Sequence, residues 1–263
     1  MVSLTQHLRD NNTRGLAPYL TAGEGGLEST LHELQAMESA GASCVELGVP
    51  FSDPIADGPH LQAAAQRSLD AGTNLRGILD MVKNFRAAGG DMPLVLMSYA
   101  NPLMRHGIDQ TVQDMATAGI DGLIIPDLPL EEGAPVERAC ASSNICPIFF
   151  AAPTSPEARV EEAGRRSRGF LYVVGRVGVT GVSTSFDEET QSFIQRTREL
   201  SAVPIAVGFG IGSAEHVHDA VRHADLAIVG TALVRHLFAV QQERGNRAVA
   251  AANMVHALIQ GLK

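Results

Sequence analysis

Eight short apolar runs, each followed by a stretch of helical periodicity, set the limits on what this 263-residue chain can fold into. The runs are residues 16–21, 43–49, 93–98, 122–125, 146–150, 170–174, 203–207 and 226–229. Continuous apolar runs of this length read as strands covered on both faces, the pattern of parallel sheets. Helical periodicity fills the gaps at 27–40, 60–71, 75–88, 108–118, 131–142, 155–165, 186–200 and 214–222, with Gly41 and Gly89-Gly90 as stop signals. Eight strands alternating with helices predict a (β/α)8 TIM barrel, and 263 residues suit one such domain spanning 1–263. No linker or low-complexity block divides the chain. A doubly wound sheet fits less well, because Gly23-Glu24-Gly25-Gly26 after the first run lacks the G-x-G-x-x-G spacing. Residues 3–11 predict a short N-terminal helix with Leu4 and Leu8 on one side. Helix follows the eighth run to the end, breaking near Arg244-Gly245-Asn246, so an extra short helix is expected after strand eight.

The second run carries a carboxylate, Glu46, inside the sequence Cys44-Val45-Glu46-Leu47-Gly48-Val49. On a strand covered on both faces neither side suits a charge, and desolvation should raise the pKa of Glu46. A raised pKa fits a group that gives and takes a proton near neutrality. A strand-end glutamate paired with an arginine is an equally weighted reading. Asp57 lies eleven residues on, in the loop leaving the strand; in a barrel that loop sits at the C-terminal mouth, where such folds place chemistry. Asp53 shares the loop, and either aspartate could simply cap a turn. Pro50, Pro54 and Pro59 stiffen the segment by fixing φ.

A second signal lies at the ends of runs seven and eight, in Gly208-Phe209-Gly210 and Gly230-Thr231. Barrels commonly hold a phosphate between these two loops and the start of an extra helix, where glycine lets backbone N–H groups approach and the helix dipole favours an anion. Thr231 is expected to cap that helix or to donate its hydroxyl. Two ordinary glycine turns and a simple cap would produce the same letters. The glycine-bearing loop from Gly175 to Ser185, with Gly178-Val179-Thr180-Gly181, has the composition of a closing lid or of a surface loop.

Missing residues narrow the chemistry. Lys83, in a helical stretch, and Lys263, at the C-terminus, are the chain's two lysines, so a Schiff-base aldolase and covalent pyridoxal attachment are unsupported. Of nine histidines only His60 adjoins a strand-end loop, so no metal site is expected. A net charge of −9 does not suit nucleic acid. No apolar run approaches the roughly 20 residues of a membrane helix, and no leader pattern is read at the N-terminus. Cys44, Cys140 and Cys146 fit free thiols in a reducing, cytoplasmic setting.

The segment Glu46-Leu47-Gly48-Val49-Pro50-Phe51-Ser52-Asp53-Pro54-Ile55-Ala56-Asp57-Gly58-Pro59 resembles the signature of the tryptophan synthase alpha chain family. The likeness extends in order through residues 18–23, 99–102, 126–129, Tyr172, 178–181, 208–211 and Gly230-Thr231. It implies retro-aldol cleavage of indole-3-glycerol phosphate to indole and glyceraldehyde 3-phosphate, without a cofactor in this chain. It also implies an α2β2 assembly with a beta chain that carries pyridoxal phosphate and uses the indole. By the resemblance, Glu46 moves protons at indole C3 and the glycerol hydroxyl, and Asp57 handles the indole N–H. Tyr172 and Thr180 line the site; Gly181, Gly208, Phe209, Gly210, Gly230 and Thr231 form the phosphate end; Asp53 belongs to the beta-chain contact. A stand-alone indole-3-glycerol-phosphate lyase and a mainly allosteric activating subunit are the alternative readings.

Overall fold

The computed structural model describes Leu4, Leu8 and residues 14–175, 188–208 and 210–263. Its strand segments are β1 (Gly15–Thr21), β2 (Val45–Gly48), β3 (Leu94–Met97), β4 (Gly122–Ile124), β5 (Cys146–Ile148), β6 (Phe150–Ala151), β7 (Leu171–Val174), β8 (Ile205–Gly208) and β9 (Leu226–Val229). All pairings are parallel, in the order β5-β4-β3-β2-β1-β9-β8-β7-β6. The two ends of that order, β5 and β6, are one run of chain interrupted only by Phe149, and this closes the sheet into a barrel. The fifth apolar run is therefore one strand in two pieces. At the break the Phe149 N–H donates to the Ser167 hydroxyl at 3.1 Å, while its carbonyl still accepts from Tyr172 N–H at 2.9 Å.

The helices are α1 (Leu27–Ser39), α2 (Pro59–Asp70), α3 (Leu75–Ala87), α4 (Ala100–His106), α5 (Ile108–Ala118), α6 (Ala134–Ser143), α7 (Glu157–Arg166), α8 (Glu188–Leu200), α9 (Ala214–His223), α10 (Thr231–Gln242) and α11 (Arg247–Ile259). Helix α4 was not anticipated, because Pro102 reads as a breaker. It occupies the first turn, where backbone N–H groups have no intrahelical acceptor and proline removes nothing. The helix expected from Glu131 divides into a 3-10 turn, Leu130–Glu132, and α6, which starts beyond Gly133 with Pro135 in its first turn. The extra helix after the last strand is α10, at 12 residues as long as its neighbours; the chain breaks at Arg244, with φ 57°, before α11.

Strand side chains sort by parity. Leu16, Leu20, Val45, Leu47, Leu94 and Leu96 face outward into a core shared with Leu34, Met37 and Ile78 of the helices. Each such buried leucine contributes roughly 1.5–3 kcal/mol relative to exposure. Ala17, Cys44, Val95, Ile124, Phe170 and Ala206 point inward and pack with Leu4 and Leu8, both helical and buried, which fill the barrel floor. The inner apolar packing thins toward the C-terminal ends of the strands, leaving the mouth open.

Candidate active site

Glu46 lies between Val45 and Leu47, whose outward packing forces its carboxylate into the barrel, level with Tyr19 on β1 and Val95 on β3. It is 3 % exposed and has no ion pair among the described residues. Burial, and after it the charge of Asp57, push its pKa up to about 8. No described arginine therefore supports the arginine-paired reading of Glu46.

Asp57 occupies the turn after Pro54, whose carbonyl accepts the Asp57 N–H at 3.0 Å. Burial raises its pKa to about 6, against the stabilising hydrogen bond that the Tyr99 hydroxyl gives its carboxylate. The same hydroxyl accepts the Ala56 N–H at 3.0 Å, and the Tyr99 ring stacks on Phe51 at 5.2 Å. The loop is thus clamped at both ends onto a residue that follows β3.

All three tyrosines of the chain surround the two acids. Tyr19 and Tyr172 are held well above the ordinary phenol pKa, first by burial and then by the charges of Asp57 and Glu46. Both rings lie across glycine backbone. A Cβ at Gly48 would sit 2.1 Å from the Tyr19 hydroxyl, and one at Gly208 would sit 2.6 Å from that of Tyr172. Glycine at these positions is a condition for the tyrosines entering the barrel.

Glu46, Asp57, Tyr19 and Tyr172 line one cavity of about 890 Å³ with Gly208, Gly210, Gly230 and Thr231. That volume lies in the usual range for small-molecule sites. Leu61, Met97, Leu128, Phe149 and Phe150 supply apolar wall, and Asp127, Ser155, Arg159 and Arg235 supply polar groups. Asp127 accepts the Ala100 N–H at 2.9 Å, and Arg159 is paired with Glu131. At the glycine end, α10 departs from expectation: its N-cap is Gly230, Thr231 is already helical, and no side chain caps it. The first-turn N–H groups, which lack intrahelical acceptors, are left for a ligand.

Asp53 is exposed, hydrogen-bonded by the Ser52 hydroxyl at 2.6 Å, and does not line the cavity. His60 is exposed in the first turn of α2 and also lies off the cavity wall. Thr180, Gly181, Phe209 and most of the suspected lid lie outside the described residues. Among the described residues no cluster of three metal-ligating side chains occurs, and no helix is long and apolar enough to cross a membrane.

The family model described as tryptophan synthase alpha chain matches residues 5–262. The chain belongs to the tryptophan synthase alpha chain family. The tryptophan synthase alpha chain of Alkalilimnicola ehrlichii is 43% identical over 235 residues, covering 89% of this chain and 86% of the relative. Among solved structures, tryptophan synthase subunit alpha of Legionella pneumophila superposes with a TM-score of 0.92 at 30% identity, covering 100% of this chain and 98% of that one. A chain from the tryptophan synthase α2β2 complex of Pyrococcus furiosus gives 0.87 at 34% identity, covering 94% and 98%. The tryptophan synthase alpha chain is a lyase of tryptophan biosynthesis that cleaves indole-3-glycerol phosphate; it carries no cofactor of its own, pyridoxal phosphate belonging to the beta subunit.

Sequence reasoning assigned no role to Tyr19, Tyr99, Asp127, Arg159 or Arg235. A usable signal existed for the first two: a chain with three tyrosines places each in or just after an apolar run. For the arginines there was none, because both sit in helical stretches that read as solvent-facing.

Proposed function

We propose that Glu46 and Asp57 are the proton-transfer pair for the retro-aldol cleavage of indole-3-glycerol phosphate in this cavity. Near neutral pH Glu46 is largely protonated and Asp57 largely ionised. Glu46 delivers its proton to indole C3, and the ring becomes an indoleninium whose N–H is held by the Asp57 carboxylate. The Glu46 carboxylate then takes the proton of the glycerol hydroxyl next to the bond that breaks. That oxygen forms the aldehyde carbonyl, the C–C electron pair returns to the ring, and indole and glyceraldehyde 3-phosphate separate. Glu46 ends protonated, as it began. The protonated indole is the electron sink that a Schiff base or metal would otherwise supply. Tyr172 borders the reacting atoms, and Gly208, Gly210, Gly230 and Thr231 receive the phosphate on backbone N–H groups at the uncapped end of α10. Thr180, Gly181 and Phe209 are assigned to the same site by resemblance alone.

The observation that carries the reading is a buried carboxylate without a cation partner among the described residues, in one cavity with a second acid and an uncapped helix N-terminus. A beta chain of tryptophan synthase is the proposed partner in an α2β2 assembly, as in the Pyrococcus furiosus complex. It would dock on the mouth loops, where Ile55 is 80% and Met104 59% exposed and Asp53 shares the loop of Ile55. The proposed location is the cytoplasm, in keeping with three buried cysteines that form no disulfide with one another. Indole release from indole-3-glycerol phosphate tests the assignment. Glu46→Gln and Asp57→Asn should each lower turnover at least about a hundredfold, the scale of losing a proton-transfer group. Near-normal turnover in either variant refutes its role. Addition of a beta chain should raise the wild-type rate, and an unchanged rate would count against the docking face.

A further inference from the structure

We propose that Arg235 is the side-chain cation that grips the substrate's phosphate, an inference that rests on the reaction proposed above and adds a full charge to a cradle otherwise built from backbone. Arg235 is exposed, lies on α10 and lines the cavity. It stands four residues after Thr231, so the two share a helix face. Side chains on a helix lean toward its N-terminus, which carries the guanidinium back over Thr231 and the uncapped N–H groups.

Its lack of other commitments is the second observation. Arg159, the other cation among the described residues of the cavity wall, is bound to Glu131. Arg235 has no ion pair, hydrogen bond or ring contact among the described residues. The cavity meanwhile carries three acidic side chains, Glu46, Asp57 and Asp127, of which Glu46 is largely protonated and Asp57 largely ionised near neutral pH. A phosphate monoester brings about −1.5 to −2 charges at neutral pH into that field. The helix end offers only about half a positive charge. A guanidinium adds a whole one, in a fork that matches two phosphate oxygens. A cation here offsets the repulsion that the ionised Asp57 imposes on an anionic substrate.

Steady-state kinetics of the full-length chain and the competitive binding of glycerol 3-phosphate and of indole test this. Arg235→Gln should raise KM for indole-3-glycerol phosphate and the glycerol 3-phosphate constant about tenfold or more, the loss of one charged hydrogen-bond partner. It should change kcat by less than about threefold and leave indole binding unmoved, because uniform phosphate binding is what is removed. Arg235→Lys should recover most of the loss. A KM and glycerol 3-phosphate constant in Arg235→Gln within about twofold of wild type would overturn the assignment, as would an equal weakening of indole. If wild type itself fails to cleave indole-3-glycerol phosphate, the proposed reaction fails instead, while the glycerol 3-phosphate comparison still decides Arg235.

Discussion

One set of enclosed carboxylates follows β1 in the chain and another is carried by β2 and its loop, and their chemistry differs because of what faces them. Glu24 and Glu33, 1% and 0% exposed, form an ionic cluster with arginines. Arg247 donates from Nε to Glu33 at 2.6 Å and approaches Glu24 at 3.7 Å, while Arg67 pairs with Glu24 and lies over the Phe238 ring at 3.8 Å. Ser29 and Gln241 complete the hydrogen bonds. Burial holds Glu33 above the ordinary carboxylate pKa, and Arg247 offsets only part of that effect. The cluster ties the loop after β1 to α1, α2 and α11. Glu46, equally buried, faces Asp57 and two phenols and no cation among the described residues. An enclosed acid with an arginine holds structure together; one without an arginine stores a proton.

The contrast is broken most severely from the paired side. Arg247→Met leaves Glu33 and Glu24 short of a cation in a dry setting, and losing one partner of a buried pair costs about 3–5 kcal/mol. Thermal unfolding should shift down by roughly 10 °C, with kcat of the folded fraction unchanged. The double variant Arg247→Met/Glu33→Gln should recover part of that loss, since the stranded charge goes too. An Arg247→Met protein as stable as wild type would mean that the cluster is held by packing alone.

Glu46→Gln should act in the opposite direction on stability while abolishing turnover. The folded-state pKa is raised from 4.5 to about 8, so the stabilising contribution of the protonated form is complete below pH 4.5. It is lost progressively as pH rises to about 8 and is constant beyond. Glutamine does not titrate. The variant should therefore match wild type near pH 4.5 and exceed it by on the order of 3 kcal/mol at pH 7. Urea unfolding at several pH values measures this. A stability difference independent of pH would place the proton elsewhere.

How much of this was legible in the sequence depends on distance along the chain. The strands could be read because their apolar runs are local, and Glu46 and Asp57 because they share one strand-loop segment. That the glycines at two strand ends line the same cavity could be read because they are local as well. What Glu46 faces could not be read, since parity shows that it opposes Val45 and Leu47 but not which of the two faces is the interior. The ionic cluster was invisible for a different reason. Glu33 and Arg247 are 214 residues apart, and each sits in a helical stretch where a charge reads as solvated. The break at Phe149 and the helix at Ala100 turn on a single hydrogen bond and on one proline's place in a first turn, below the resolution of pattern reading.

The finest test concerns Tyr99, which joins the loop that carries Asp57 to the strand beside it. Its hydroxyl lowers the Asp57 pKa against the effect of burial, and it also accepts the Ala56 N–H. Tyr99→Phe keeps the stacking on Phe51 and removes only the oxygen. Asp57 should then titrate above about 6, and the acidic limb of the kcat profile should move to higher pH by about one unit or less, the scale of one hydrogen bond. The alkaline limb, set by Glu46, should stay or drift down slightly, because an Asp57 that is less ionised repels it less. Opposite movement of the two limbs would identify them with the two acids. An unmoved acidic limb would mean that the hydroxyl serves the Ala56 amide alone and that Asp57 is tuned by burial without its help.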